Sequence, residues 1–454
     1  MVAPAMKRRY LNTLLAIAVL AVMWVGFTYL DKRKSRGAAK TESKPAEKLL
    51  ALDSAHIQAF TLKARDGATF TCRRESGKWM LSAPATQPSN PLPADQSAVS
   101  SFLSSLTTAN LDEVVDPRPS NLKDYGLDPP AETVEVSSDS KPQQSTLILG
   151  DETPTGSGLY AKVAGNPRLV TLASYLKSSL EKSLLDLRDK RAVTLDADQI
   201  QRIDVTSKGK HWTLEKNPEG VWDLVLPPPV RADRSSVDGL VSELRNLSMQ
   251  TIAAEDKKKE QARYGFNSPT LTVKLTSPQG SQSLEIGKKD GDRYDAVNSA
   301  LAPIFTLNST FLTQFQKDPA DLRDKDLFSF STFDAKRLEV DTPKGHWAFE
   351  QNKDKWKETA PQTRDITADK MDGLLADIRN LRTTSFPKSG DLAALGLAKP
   401  AYRFQVQFGE KNQKESVEAS KVGDHVYARR TTDPLPSELA KDSLDAIDKS
   451  LGGF

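Results

Sequence analysis

Two stretches of this chain repeat one another almost residue for residue, Asp238-Gly239-Leu240-Val241-Ser242-Glu243-Leu244-Arg245-Asn246-Leu247 and Asp372-Gly373-Leu374-Leu375-Ala376-Asp377-Ile378-Arg379-Asn380-Leu381. Internal repetition constrains a fold more than any isolated motif, because each copy has to bury the same apolar face in the same way. Other markers recur around these two stretches in one fixed order. A strand bearing tryptophan comes first, at Trp79, Trp222 and Trp356, and proline follows each within a few residues. A helix comes next, with Ser97 to Leu106 as its weaker first copy. Then comes a turn, Tyr125-Gly126-Leu127, Tyr264-Gly265-Phe266 and Leu395-Gly396-Leu397, each ahead of a proline. Leu149-Gly150-Asp151 then leads to Tyr160-Ala161, Leu284-Glu285-Ile286-Gly287 to Tyr294, and Val422-Gly423-Asp424 to Tyr427-Ala428. Two copies close on the same tetrapeptide, Leu187-Arg188-Asp189-Lys190 and Leu322-Arg323-Asp324-Lys325, which the third lacks. Its absence there suggests that the tetrapeptide belongs to the join between copies.

A period near 135 residues is too long for a solenoid repeat, so the copies are expected to be duplicated domains. Within a copy, Ile57 to Lys63, Ala68 to Arg73 and Trp79 to Leu81 alternate with the period of half-buried strands. Four more short β-like runs follow the Tyr-Gly turn, and a second helix, about Ala173 to Leu185, ends the unit. Short turns between strands and a helix after each block predict an α+β class, with antiparallel sheets and helices to one side. The expected boundaries are repeat domains at 49–199, 200–334 and 335–454.

Ahead of them, Leu11 to Leu30 carries no charge and is long enough to span a bilayer as a helix. Residues 1–10 form a stub and 31–48 a polar tether. A retained anchor is expected rather than a cleaved signal peptide, since no small-x-small site follows the apolar run directly. Cations flank it on both sides, Lys7, Arg8 and Arg9 before and Lys32, Arg33, Lys34 and Arg36 after, so charge alone does not orient it. The expected placement is single-pass in the inner membrane, with the body in the periplasm and residues 11–30 contacting lipid.

Charged residues make up 27% of the chain with both signs interleaved, and the net charge of +3 leaves no basic stripe to track phosphates, so nucleic acid is not an expected partner. Cys72 is the only cysteine, which excludes an intramolecular disulfide and a Cys-pair zinc site. No phosphate loop, His-Glu-x-x-His or Gly-x-Ser-x-Gly motif occurs. Ser-x-x-Lys spacing at Ser174 to Lys177, Ser179 to Lys182 and Ser207 to Lys210 lacks the partner motifs of a serine nucleophile and reads as solvated surface. His211-Trp212 and His346-Trp347 match in position, but two histidines in separate domains fall short of a metal site. No catalytic residue, metal or cofactor is expected. Trp79, Trp222 and Trp356 read as core residues before they read as a ligand platform. Tyr125, Gly126, Tyr264, Gly265 and Gly396 read as structural turn markers. Arg188, Asp189, Lys190, Arg323, Asp324 and Lys325 read as helix ends that fasten adjacent domains or dock a partner.

The anchor, the Trp-then-Pro strand ends, the turn at Tyr125 to Pro130, the Tyr-Ala strand and the Leu-Arg-Asp-Lys joins together resemble the bacterial domain of unknown function 4340 (DUF4340) over nearly the whole chain. The resemblance implies a single-pass membrane protein beside an ABC-type export system related to gliding motility, with a permease and an ATPase as partners and no defined catalytic residues. The third copy departs from the pattern, with Leu395 in place of the turn tyrosine. On these grounds a non-catalytic accessory or scaffold subunit is expected. An envelope binding module for peptidoglycan or polysaccharide, and a hydrolase of unrecognised type with a pocket in one copy, are the alternatives.

Overall fold

The computed structural model describes residues 47–83, 91–207, 209–225, 228–258, 262–353, 355–388, 390–433 and 435–454. The stub, the apolar run and the tether up to residue 46 lie outside the described residues. Among the described residues, no helix is long and apolar enough to cross a membrane.

The chain builds three nine-stranded antiparallel sheets of one topology. In the first, strands Ile57–Ala64, Thr69–Glu75, Lys78–Ser82 and Leu92–Pro93 run as a meander towards one edge. Helix Gln96–Thr108 follows, and the chain crosses to lay Glu113–Asp116 along the opposite edge. A second meander, Glu132–Ser138, Gln144–Glu152, Gly158–Val163 and Leu169–Ala173, fills the space between. The two meanders join where Ile57–Ala64 pairs with Glu132–Ser138. The second sheet repeats this from Val230–Arg231 at one edge to Thr251–Ala254 at the other, and the third from Arg364–Ile366 to Thr383–Ser385.

Alternation decides which face is buried. Phe60 and Leu62 point inward with Val134, Val136, Leu147 and Leu149, and the helix sets Val99, Phe102, Leu103 and Leu106 against them. Asp95 starts that helix by accepting the backbone N–H groups of Ser97 and Ala98, and Asp233 does the same for the next helix through Ser236. Helices Arg234–Asn246 and Ala368–Arg379 are the two nearly identical stretches read in the sequence. Their inward sets are Val237, Leu240 and Leu244, and Met371, Leu374, Leu375 and Ile378.

Several expected boundaries move. Ala192, Val193 and Ala197 pack in the second core rather than the first, and Leu327, Phe328 and Phe330 pack in the third. Compactness divides the chain in two after Asp189, so that the second and third sheets share one unit. The tether ends earlier than residue 48, because Glu47 pairs with Arg168 at 2.6 Å and Lys48 bridges Asn110. The single helix expected over Ala173 to Leu185 is two pieces, Leu176–Leu180 and Leu184–Leu187. Between them Ser183 and Asp186 form a capping box that restarts the helix.

The glycine turns hold left-handed backbone, with φ of 64° at Gly126, 84° at Gly265 and 70° at Gly396. Each turn presses on the second meander. A Cβ at Gly150 would lie 2.2 Å from the carbonyl oxygen of Tyr125, and one at Gly287 would lie 2.1 Å from that of Tyr264. A bulge in each strand makes this approach possible, between Leu149 and Glu152 and between Ile286 and Lys289. The third sheet has no such bulge, and Gly423 lies in a hairpin turn rather than matching Gly150 and Gly287. Ser420 faces the third turn instead, and its hydroxyl donates to the Gly396 carbonyl at 2.9 Å.

Gly287→Ala is therefore expected to destabilise the second unit by about 1–3 kcal/mol through overpacking against backbone. Gly373→Ala, at a helical site with open space around the added methyl, is expected to stabilise it by about 0.5–1 kcal/mol. Urea denaturation of the two variants beside the parent measures both.

Candidate functional site

The Leu-Arg-Asp-Lys segments lie beside the short edge stretch that leads into each helix. Asp95 donates its N–H to the Leu187 carbonyl and Asp189 donates to that of Pro93, both at 2.9 Å. The second repeat is the same, with Asp233 donating to Leu322 at 2.8 Å and Asp324 donating to Arg231 at 3.0 Å. The lysine carbonyls then accept from the strand stretch after the next helix, Lys190 from Met249 and Lys325 from Thr383, each at 2.7 Å. Arg188 is buried, while Asp189, Lys190 and Lys325 are half-buried.

In the second unit the side chains of Arg323 and Asp324 enter a buried ionic network between the second and third sheets. Asp324 takes Arg231 at 2.6 Å and Arg430 at 2.9 Å. Arg430 also donates to the Leu327 carbonyl at 3.1 Å and to that of Asp326. Arg323 stacks 3.7 Å above the Phe386 ring and reaches Asp433 at 4.0 Å. Glu415 accepts the Ser329 N–H at 2.8 Å with Arg231 beside it at 3.6 Å. Burial holds both Arg323 and Arg430 below the usual arginine range, and the clustered guanidinium groups push the same way. Arginine nonetheless stays charged, so the carboxylates are required. Arg430, Asp433 and Glu415 carry no repeat marker and were not read from the sequence.

A cleft of about 920 Å³ opens beside this network, lined by Trp222, Arg231, Arg234, Asp324, Phe328 and Arg382 among others. Trp222 is only half-buried there, with the Lys216 ammonium 5.1 Å from its ring centroid, whereas Trp79 and Trp356 are buried in their cores. The His211 and His346 rings sit on exposed strand positions beside Thr206 and Asp341. Lys177 pairs with Glu152 at 2.7 Å, and no group of three metal-ligating residues occurs among the described residues.

A second cavity, of about 590 Å³, lies in the first repeat between the sheet and the closing helices. Leu62, Phe70 and Leu184 give it an apolar wall, and Glu132 and Glu181 supply two carboxylates. Glu132 is only 4% exposed. Oε1 of each glutamate is buried without a hydrogen-bond partner, an unusual state for a buried acceptor. Burial is the main cause that pushes Glu132 up to about 8, aided by the nearby Glu181 and Asp186 carboxylates and opposed by the Lys182 N–H and ammonium. Burial raises Glu181 as well. Glu132 could have been found from the sequence, because the period of two through Val136 and Val134 puts it on the core face.

A family model described as domain of unknown function (DUF4340) matches residues 85–224 and 222–400. Each matched stretch runs from the helix of one sheet into the first strands of the next, and so contains one Leu-Arg-Asp-Lys segment. No curated protein matches the chain. Among solved structures, the DNA polymerase III subunit beta from Pseudomonas aeruginosa is similar at 9% identity over 87% of this chain and 93% of that one. Its TM-score of 0.16 is too low to carry any argument.

Asp324→Ala removes the nearest carboxylate of both Arg231 and Arg430, leaving them Glu415 at 3.6 Å and Asp433 at 3.8 Å respectively, and is expected to cost the second unit about 3 kcal/mol. Removing Lys441, whose partner Asp424 is exposed, is expected to leave the denaturation midpoint essentially unchanged. Glu132 binds its proton more tightly in the folded chain than at its ordinary value of 4.5. Its contribution to stability is therefore present below about pH 4.5 and lost as pH rises through about 8. Glu132→Gln is expected to flatten that part of the thermal stability profile.

Proposed function

Since the chain belongs to the DUF4340 family, whose description assigns no chemistry, we propose from its geometry that it is a non-catalytic, membrane-anchored accessory or scaffold subunit of a bacterial envelope ABC-type transport assembly. One observation carries the reading most directly. The charged residues of the second join are consumed inside the chain, where Arg231, Arg323, Asp324, Arg430 and Asp433 bind two sheets into one body. Such a body is suited to presenting fixed surfaces rather than to closing around a substrate. The proposed placement is the inner membrane, through residues 11–30, with the sheets in the periplasm and a permease and an ATPase as partners.

The first-repeat cavity favours a second reading, a binding module that takes a ligand from the envelope. It also holds Glu132 where the other copies carry Leu271 and Tyr402, as an unfamiliar hydrolase with a pocket in one copy would require. A mild-detergent pull-down of the full chain from its native membrane, with a truncation ending at Lys48 as control, separates these readings. The expected result is recovery of an ABC-type permease and ATPase with the full chain alone. Recovery of no protein partner, or only of cell-wall fragments, overturns the accessory reading and puts the binding module first.

A further inference from the structure

The three repeats treat one position differently. Register places Glu132, Leu271 and Tyr402 at the equivalent start of the second meander, and Phe70, Trp212 and Trp347 at the equivalent point of the second strand. In the second repeat Leu271 and the buried Trp212 fill the space under the closing helix, leaving a hollow of only about 150 Å³. In the third, Tyr402 fills it and donates its hydroxyl to Asp448 at 3.2 Å. Both repeats also send a lysine from the first hairpin to an acid of the closing segment. Lys210 reaches Asp318 at 2.9 Å, and Lys344 reaches Asp448 at 3.2 Å.

The first repeat has neither the filler nor the lysine. Its hairpin tip reads Ala64-Arg65-Asp66-Gly67-Ala68, and Arg65 turns away to the Gly126 carbonyl and Asp151. Phe70 stands where the others carry tryptophan, and a carboxylate stands where they carry leucine and tyrosine. The result is a cavity with an apolar wall, two glutamates whose Oε1 atoms are buried without a hydrogen-bond partner, and no hairpin lysine of the kind both sister repeats supply, the Lys182 ammonium on its lining being held on the Ser178 carbonyl.

We propose that this cavity is a binding site for an organic cation, an ammonium on a short apolar stem. The ammonium pairs with the carboxylates of Glu132 and Glu181, in place of the lysine of the other repeats, and the stem lies along Leu62, Phe70 and Leu184. This inference does not depend on the accessory reading, since it concerns the first repeat alone. Charged groups around the site are Asp66 from the hairpin, Asp151 and Glu152 from the neighbouring strand, and Lys177, Lys182 and Asp186 from the closing helices, with Arg65 held on Asp151. The bound cation favours the ionised form of Glu132, so binding releases a proton and strengthens as pH rises.

Calorimetric titration of the full chain in detergent with n-butylammonium tests the proposal, with n-butanol as the neutral isostere. The expected result is saturable binding of the cation and none of the alcohol, with affinity rising at least about tenfold between pH 6.5 and 8.5. Glu132→Gln is expected to abolish binding. Phe70→Trp, which restores the residue of the sister repeats and keeps both carboxylates, is expected to abolish it too, and decides the matter if the glutamine variant does not fold. Absence of saturable binding at either pH, equal binding of the alcohol, or binding unchanged in Phe70→Trp would each overturn the assignment.

Discussion

Strand Ile57–Ala64 and strand Glu132–Ser138 are separated in the chain by a meander, a helix and an edge strand, yet their pairing is what makes nine strands one sheet. The same pairing recurs between Arg202–Ser207 and Leu271–Ser277, and between Ala335–Thr342 and Tyr402–Phe408. Without it, each repeat would divide into two small meanders with exposed inner edges. Closing such a distant contact incurs loop entropy before burial compensates for it. The helix between the meanders and the glycine turn that precedes the second one both serve that closure. The helix supplies the apolar face on which both halves rest. The turn abuts the second meander at Gly150, Gly287 or Ser420 and so fixes its position.

Much of a single repeat was legible in the sequence because it depends on local pattern. The tryptophan strands, the helices at Asp238 and Asp372 and the left-handed turns are set by alternation, capping and glycine geometry within a few residues of each other. Long-range register was not legible. Gly423 looks like a partner of Gly150 on spacing alone, and only the absence of a bulge in the third sheet shows that Ser420 holds that place. Arg430 and Glu415 likewise look like ordinary surface charges. The burial of Arg430 and the half-burial of Glu415 follow from the third sheet standing against the second, which no local pattern reports.

The two candidate sites differ in what their polarity accomplishes. At the join, opposite charges meet and satisfy one another, so the energy of desolvation is answered inside the protein. In the first repeat, two glutamates share a largely apolar cavity, and Oε1 of each is buried without a hydrogen-bond partner. Duplication makes the contrast informative. Three copies of one topology provide an internal control, in which a position filled by Leu271 or Tyr402 shows what an inert core looks like there.

The sheet edges bear on how such a chain avoids entangling with itself. The twenty-seven strands among the described residues, of nearly the same design, could pair with the wrong partner while the chain is being assembled, or across two molecules. The outer strands are short, only two residues at Leu92–Pro93 and at Val230–Arg231. Pro93 offers no N–H at all, and Glu113 and Asp116 flank the exposed valines of the opposite edge. Edges this brief and this charged make poor templates for a foreign strand. Each copy can therefore terminate its own sheet, and three can follow one another in a single chain without polymerising.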